Sequence, residues 1–142
     1  MEKHIVFELL GKEVKDFLRT IKSGDRAVVV GLYGELGSGK TTFVQRVARA
    51  LGVPQPVTSP TFVIQKVYKL KNQAFDHLIH IDTYRLESSD ELLHLGWSEL
   101  IEDPKNLIFV EWADRVEDIL PGNIVKITFE VTGEEERKVT TI

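Results

Sequence analysis

The sequence contains no cysteine, which excludes disulfides, iron–sulfur clusters, thiol catalysis and cysteine-ligated zinc. It has no apolar run near the roughly 20 residues that a membrane helix needs, and its first residues lack the apolar segment of a secretory signal. Basic residues are not in excess, because 18 Lys and Arg stand against 22 Asp and Glu for a net charge of −4. That balance argues against a protein whose main task is to grip nucleic-acid phosphates. We therefore expect a soluble, cytoplasmic protein that does not act at a membrane.

Length and composition are those of an ordinary globular chain. The 142 residues are 42% hydrophobic and 28% charged, and they contain no repeat or low-complexity stretch. A chain of this size matches one domain of about 100–150 residues, which can bury a core without disulfides. We expect residues 1–142 to form a single domain.

The hydrophobic pattern predicts an α/β fold with a mixed sheet. Two continuous apolar runs, 27–33 and 107–110, are typical of strands that are buried on both faces. Segments 62–68 and 78–84 also have strand character, and the gap of about nine residues between them is too short for a parallel crossover. They therefore predict an antiparallel hairpin. The remaining predicted elements are an edge strand at 4–9, helices at 14–21, 40–51, 88–95 and 114–120, and a closing hairpin formed by 125–131 and 138–142.

Residues 34–41 match the phosphate-loop pattern G-x-x-x-x-G-K-[ST] at every fixed position. The segment follows an apolar strand and opens an amphipathic helix, which is the context that a phosphate loop requires. Its glycines let backbone N–H groups point at phosphate oxygens, and the helix adds the positive end of its dipole. Lys40 supplies a charge for the β- and γ-phosphates, and the Thr41 hydroxyl is placed for Mg²⁺. The pattern predicts nucleotide binding on a P-loop NTPase-type three-layer fold with a mixed, partly parallel sheet and an added antiparallel hairpin.

Two carboxylates follow apolar strands and are candidates for the metal. Asp82 comes after 78–81, and Glu111 comes after 107–110. The carboxyl ends of parallel strands face the ligand crevice of an open α/β sheet, and hydrolysis needs a carboxylate on the magnesium and a group that orients water. We predict that both acids lie in the site and that at least one binds the metal. The direction of the strand before Asp82 stays open.

Several other residues are ambiguous at this point. Thr61, in a segment between the phosphate-loop helix and the first hairpin, is either part of a switch-like loop or part of an ordinary turn. Arg85 either reaches the phosphates or makes a surface ion pair, and Trp112 either lies beside the nucleotide or in the core; we favour the second interpretation of each. His77 and His80 are three apart on a strand, so they point to opposite faces and do not chelate one ion together.

Four segments taken together resemble the TsaE (YjeE) family, small bacterial ATPases of the threonylcarbamoyladenosine tRNA-modification pathway. They are GELGSGKTTF at 34–43, SPTF at 59–62, HIDTYR at 80–85 and VEW at 110–112. They occur in the family's order with similar spacing, so the resemblance spans most of the chain. Ser38 stands where alanine is more usual in the family, which is a small-for-small change.

The resemblance implies that ATP and Mg²⁺ bind at the phosphate loop, and that Thr41, Asp82 and Glu111 serve the metal and hydrolysis. It also implies a weak ATPase that supports repeated turnover of a two-subunit transferase (TsaB and TsaD type) on the adenosine beside the anticodon of ANN-decoding tRNAs. We hypothesise in-line attack of water on the γ-phosphate, with Lys40, Asp82 and Glu111 as catalytic residues. The candidate nucleotide-binding residues are Gly34, Glu35, Leu36, Gly37, Ser38, Gly39, Lys40, Thr41, Thr42 and Thr61.

Four other functions are considered as alternatives. A small-molecule kinase usually has an acceptor-binding insertion and a lid, for which the chain has little room, and a GTPase is disfavoured because no Asn-Lys-x-Asp motif occurs. A nucleotide-binding adaptor would regulate docking of a partner without essential hydrolysis. Direct tRNA binding would use basic residues of the first hairpin and the phosphate-loop helix, although solvated faces and indirect tRNA contact fit the acidic total better. Those residues are Arg46, Arg49, Lys66, Lys69 and Lys71.

Overall fold

The computed structural model describes residues 2–6, 10–35, 37–57, 64–134 and 136–141. Strands and helices alternate along them, which confirms the α/β class. In chain order the elements are β1 (Glu2–Val6), α1 (Leu10–Thr20), β2 (Val28–Gly34), α2 (Lys40–Ala50), β3 (Gln65–Lys69), β4 (His77–Asp82), α3 (Ser89–His94), α4 (Trp97–Glu102), β5 (Asn106–Glu111), a 3₁₀ helix (Ala113–Ile119), β6 (Val125–Val131) and β7 (Glu136–Thr141).

Within the described residues, the strands form one mixed sheet in the order β1-β7-β6-β2-β5-β4-β3. The four central strands, β6, β2, β5 and β4, are parallel to one another. The outer pairings, β3 with β4, β7 with β6 and β1 with β7, are antiparallel, so both predicted hairpins are confirmed. Because β4 runs parallel to β5, the direction that the sequence left open is settled, and both strands end at the edge where β2 enters the phosphate loop.

Two hydrophobic layers cover the sheet because side chains alternate between its faces. Helices α1 and α2 pack on one face, where Phe43 of α2 lies 5.6 Å, centroid to centroid, from the rings of Phe17 and Phe129. Helices α3 and α4 and the 3₁₀ helix cover the other face around the buried Trp97. The aromatic contacts of Phe43, three residues after Lys40, anchor the start of α2 against the sheet.

The helix predicted at 88–95 is confirmed as α3. A second short helix, α4, follows it and was not predicted, and Gly96 between the two helices has a φ of 89°. Backbone in that left-handed region ends a helix. The second helix follows because Trp97 is buried and its indole N–H donates to the Ile119 carbonyl at 3.1 Å.

No helix among the residues that the structure describes is long and apolar enough to cross a membrane. The segment 59–62, which includes the switch-loop candidate Thr61, lies outside the described residues, as does Leu36 of the phosphate loop.

Candidate functional site

The phosphate loop leaves the sheet at a glycine that no other residue can replace without strain. Gly34 ends β2, pairs with Phe129 of β6 and has a φ of 147°. A Cβ at this position would lie 2.6 Å from the Phe129 carbonyl oxygen and 2.7 Å from the Ser38 hydroxyl oxygen. The loop is therefore packed tightly against β6 at its first residue, and α2 begins at Lys40 as predicted.

Lys40 is 4% exposed and its ammonium group is fully engaged by the protein. Its Nζ donates to the backbone carbonyls of Gly34 at 2.5 Å and Glu35 at 3.0 Å. It also lies 3.9 Å from the centroid of the Trp112 ring, a cation–π distance. These are neutral partners, so phosphate oxygens with formal negative charge would be stronger acceptors for the same ammonium.

The pKa of Lys40 is lowered below its ordinary value because burial disfavours the charged form. The carboxylates of Glu111, Asp82 and Asp114 act in the opposite direction and raise it in part. All three acids therefore lie near enough to this ammonium for their charges to affect its pKa. The site combines one buried cation with a group of carboxylates at the carboxyl edge of the sheet.

Glu111 lies at the centre of a buried hydrogen-bonded group. The Thr41 hydroxyl donates to its carboxylate, with distances of 2.9 and 3.0 Å to the two oxygens. On the other side, His80 Nε2 lies 2.5 Å from Glu111 Oε2. Glu111 is 3% exposed and His80 is fully buried. The first hydroxyl of α2 is thus joined to the carboxylate at the end of β5.

Asp82 reaches the same edge on the neighbouring strand. Its Cα pairs in register with that of Glu111, because β4 and β5 are parallel. Its Oδ1 accepts a hydrogen bond of 2.9 Å from the backbone N–H of Tyr84. The carboxylate therefore shapes the turn that follows β4, and it lies beside Glu111 at the end of the sheet.

The turn after β5 presents Trp112 to the phosphate loop. Trp112 has the left-handed angles φ 56° and ψ 44°, and the buried Thr83 hydroxyl lies 2.6 Å from its carbonyl oxygen and 3.0 Å from that of Glu111. The indole packs 5.0 Å from the Tyr84 ring. The core position that the sequence favoured for Trp112 is wrong: the turn carries it out of β5, half-buried, to the ammonium of Lys40.

The donor set suits magnesium when a nucleotide supplies further oxygens. Among the described residues, no three His, Cys, Asp or Glu side chains lie close enough to hold a metal ion together. Mg²⁺ prefers oxygen ligands and is usually held by one or two protein groups, with water and phosphate completing the shell. The Thr41 hydroxyl and the Glu111 carboxylate, already in contact, are such groups.

The predicted nucleotide-binding residues that the structure describes are grouped at the start of α2 and in the loop before it. Ser38 is 1% exposed, and its hydroxyl has no hydrogen-bond partner within the described part of the chain. The complete described set is Gly34, Glu35, Gly37, Ser38, Gly39, Lys40, Thr41 and Thr42.

Sequence reasoning missed two buried polar residues at this site, His80 and Thr83. A signal for His80 was available: it precedes Asp82 by two residues on a strand, and residues two apart share a face. Thr83 gave no such signal, because its partners are backbone carbonyls of a distant turn.

Comparisons with known proteins agree with this geometry. The family model "Threonylcarbamoyl adenosine biosynthesis protein TsaE" matches residues 7–139. The tRNA threonylcarbamoyladenosine biosynthesis protein TsaE of Bacillus subtilis is 40% identical over 119 residues, which are 84% of this chain and 70% of that protein. The TsaE protein of Treponema pallidum is 36% identical over 112 residues, or 79% of each chain. The crystal structure of Bacillus subtilis YdiB has a TM-score of 0.71 and 30% identity, covering 99% of this chain and 83% of that one. The P-loop NTPase-type fold and the family resemblance are thereby confirmed.

Proposed function

The chain belongs to the TsaE family of threonylcarbamoyl adenosine biosynthesis proteins, and on that premise we propose that it binds ATP with Mg²⁺ at the phosphate loop and hydrolyses it. The observation that carries the proposal is the contact of the Thr41 hydroxyl with the Glu111 carboxylate, next to the buried Lys40. A buried cation, a hydroxyl and a carboxylate in this order are the groups that phosphoryl transfer from a nucleotide requires. Their roles here are those that the family resemblance implies.

In the proposed reaction, water attacks the γ-phosphorus in line and the bond to the bridging oxygen of ADP breaks. Lys40 exchanges the carbonyls of Gly34 and Glu35 for phosphate oxygens and neutralises their growing charge. Glu111, or Asp82 beside it, orients the attacking water. Mg²⁺, when bound, supplies further neutralisation of phosphate charge. Trp112 covers the ammonium and limits its exposure to water.

The cellular reaction that this hydrolysis serves is the threonylcarbamoyl modification of ANN-decoding tRNAs by a two-subunit transferase of the TsaB and TsaD type. The net charge of −4 favours tRNA contact through those partners rather than through this chain. The role proposed for the chain is to permit repeated turnover of the transferase.

The test is reconstitution of tRNA modification with the transferase, tRNA, an activated threonylcarbamoyl donor and ATP, counting modified tRNA per transferase. We expect many turnovers with the wild-type chain and at most one without it. Glu111→Ala and Asp82→Ala are expected to keep some affinity for nucleotide and to lose Mg²⁺-dependent hydrolysis. Asp25→Ala is the matched control, because Asp25 is an exposed acid before β2, at the opposite edge of the sheet.

Two results would contradict the proposal. Multiple turnovers without the chain would remove its role, and normal hydrolysis by both carboxylate variants with the transferase present would remove the catalytic assignment. Multiple turnovers sustained by an ATP analogue that cannot be hydrolysed would instead identify the chain as a nucleotide-binding adaptor.

A further inference from the structure

A buried histidine makes the second hydrogen bond to the carboxylate of the site. His80 lies on β4, two residues before Asp82, and its side chain is fully buried. By the alternation of a strand it shares a face with Leu78 and Asp82, the face covered by α1 and α2. Its Nε2 lies 2.5 Å from Glu111 Oε2. Burial of an imidazole costs more than burial of an apolar side chain of similar size, so packing alone does not account for a histidine here.

The chemistry of the two groups determines which of them donates the hydrogen bond. A carboxylate accepts hydrogen bonds and donates none, so the ring nitrogen that faces it carries the hydrogen. The other ring nitrogen, Nδ1, has no hydrogen-bond partner among the described residues. Within that part of the chain, the Glu111 carboxylate is the hydrogen-bond partner of the imidazole. The hydrogen bond therefore holds Glu111 Oε2 in place, and the Thr41 hydroxyl lies 2.9 Å from Oε1 and 3.0 Å from Oε2.

We propose that His80 is a positioning residue that fixes the Glu111 carboxylate in the orientation in which Thr41 and a bound Mg²⁺ meet it, an inference that rests on the proposed function. In the structure, Glu111 receives hydrogen bonds from Thr41 and from His80. When the Thr41 hydroxyl turns to a metal, it no longer donates to Glu111, and the bond from His80 remains. Outer hydrogen-bond partners of this kind orient the groups that bind a metal directly.

The competing explanation is that His80 only fills space in the core. It predicts that replacement changes stability and leaves the metal response of the folded protein unchanged. If His80 positions Glu111, its replacement weakens the response of nucleotide affinity to Mg²⁺ in a protein that still folds and still binds nucleotide through its phosphate loop. The two explanations are therefore separated by a binding measurement made at several concentrations of MgCl₂.

The experiment is calorimetric titration of the β,γ-imido analogue of ATP at a series of MgCl₂ concentrations and in EDTA. His80→Leu removes the donor, whereas His80→Gln keeps an N–H near the position of Nε2. His77→Leu is the matched control, because His77 lies on the same strand but on the opposite face. The quantity compared is the MgCl₂ concentration that gives half of the full enhancement of affinity, and thermal unfolding of each variant reports its stability.

We expect His80→Leu to raise that MgCl₂ concentration about 10- to 100-fold, the range found when outer partners of metal-binding groups are removed. His80→Gln restores most of the response, His77→Leu matches the wild type, and affinity in EDTA is similar in all. In a Glu111→Ala background, adding His80→Leu has no further effect, because the histidine acts through the carboxylate. If His80→Leu does not fold, His80→Asn replaces it, since its amide nitrogen lies near the position of Nδ1 and cannot reach Glu111.

The results that overturn the inference are distinct from those that overturn the proposed function. A wild-type affinity that does not respond to MgCl₂ contradicts the proposed function, and the inference with it. A wild type that responds while His80→Leu responds identically contradicts the inference alone. So does an effect of His80→Leu that persists in full without the Glu111 carboxylate.

Discussion

Replacement of glycine by alanine at three positions tests how tightly the phosphate loop is built against the sheet. Gly34 has a φ of 147° and would place a Cβ within 2.7 Å of two oxygen atoms, one of them in the backbone of β6. Gly37 has a φ of 78°, but a Cβ there meets nothing within 4 Å. Gly24, before β2, has neither a positive φ nor a close neighbour. The series therefore separates backbone strain from steric overlap.

The expected losses in the free energy of unfolding follow from those geometries. Gly24→Ala changes stability by less than about 1 kcal/mol, with a gain expected because alanine restricts the unfolded chain. Gly37→Ala costs about 1–2 kcal/mol, the penalty for a left-handed L residue. Gly34→Ala adds overpacking of about 1–3 kcal/mol to strain of about 1–3 kcal/mol, because the Phe129 carbonyl is held by the pairing of β2 with β6.

Urea unfolding of the four proteins, followed by far-UV circular dichroism, measures these differences. The order Gly24→Ala, Gly37→Ala, Gly34→Ala in increasing loss is the expected result. A Gly34→Ala protein within 1 kcal/mol of the wild type would refute the close approach of the loop to β6. Gly37→Ala gives a second check, because its methyl group is expected to weaken nucleotide binding by more than its effect on stability explains.

Three further predictions concern the residues around the loop. Thr83→Val is expected to lower the free energy of unfolding by about 1 kcal/mol, the net contribution of one hydrogen bond, because both carbonyls that the Thr83 hydroxyl contacts keep a backbone N–H partner. Thr20→Val, which removes an exposed hydroxyl, is the control, and an equal loss of stability in both variants would contradict the role of the buried hydroxyl. Burial holds the pKa of Lys40 below its ordinary 10.5, so at pH values between the lowered pKa and 10.5 the unfolded chain binds more protons and the free energy of unfolding rises with pH. Urea unfolding at a series of pH values approaching 10.5 should show this rise in the wild type relative to Lys40→Met, and parallel curves would contradict it. Nucleotide binding is expected to change the tryptophan fluorescence of the wild type but not that of Trp112→Phe, which keeps the buried Trp97. A fluorescence change on nucleotide binding in Trp112→Phe would contradict the position of Trp112 beside the nucleotide.

The parts of the fold that local sequence determines were predicted well. β2, the phosphate loop and α2 were predicted because the hydrophobic pattern changes from that of a strand to that of a helix across the loop. The loop itself was recognised from a motif in which each fixed residue has a physical role. The β3–β4 hairpin follows from a connection too short for any other arrangement. By contrast, α4 was not predicted, because it depends on a left-handed Gly96 and on Trp97 entering the core, and neither requirement is visible in the spacing of apolar residues.

Some residues of the site could also be predicted from local sequence, and others could not. Lys40 and Thr41 were predicted from the motif, whereas the partners of Glu111 depend on long-range register. His80 meets Glu111 because β4 is parallel to β5 and Asp82 pairs with Glu111, and the sequence could not decide the direction of β4. The position of Trp112 depends on a left-handed turn stabilised from another strand, so its contact with Lys40 could not be predicted locally.

The proposed binding of ATP with Mg²⁺ at Lys40, whose ammonium contacts loop carbonyls in this structure, is tested by calorimetric titration of ATP with MgCl₂. The wild type is expected to bind, and Lys40→Ala is expected to lose at least about 10- to 100-fold in affinity, because hydrogen bonds to charged groups contribute about 1.5–3 kcal/mol. Lys105→Ala, an exposed lysine before β5 at the opposite edge of the sheet, should bind as the wild type does. Equal affinity in Lys40→Ala and the wild type would contradict the claim.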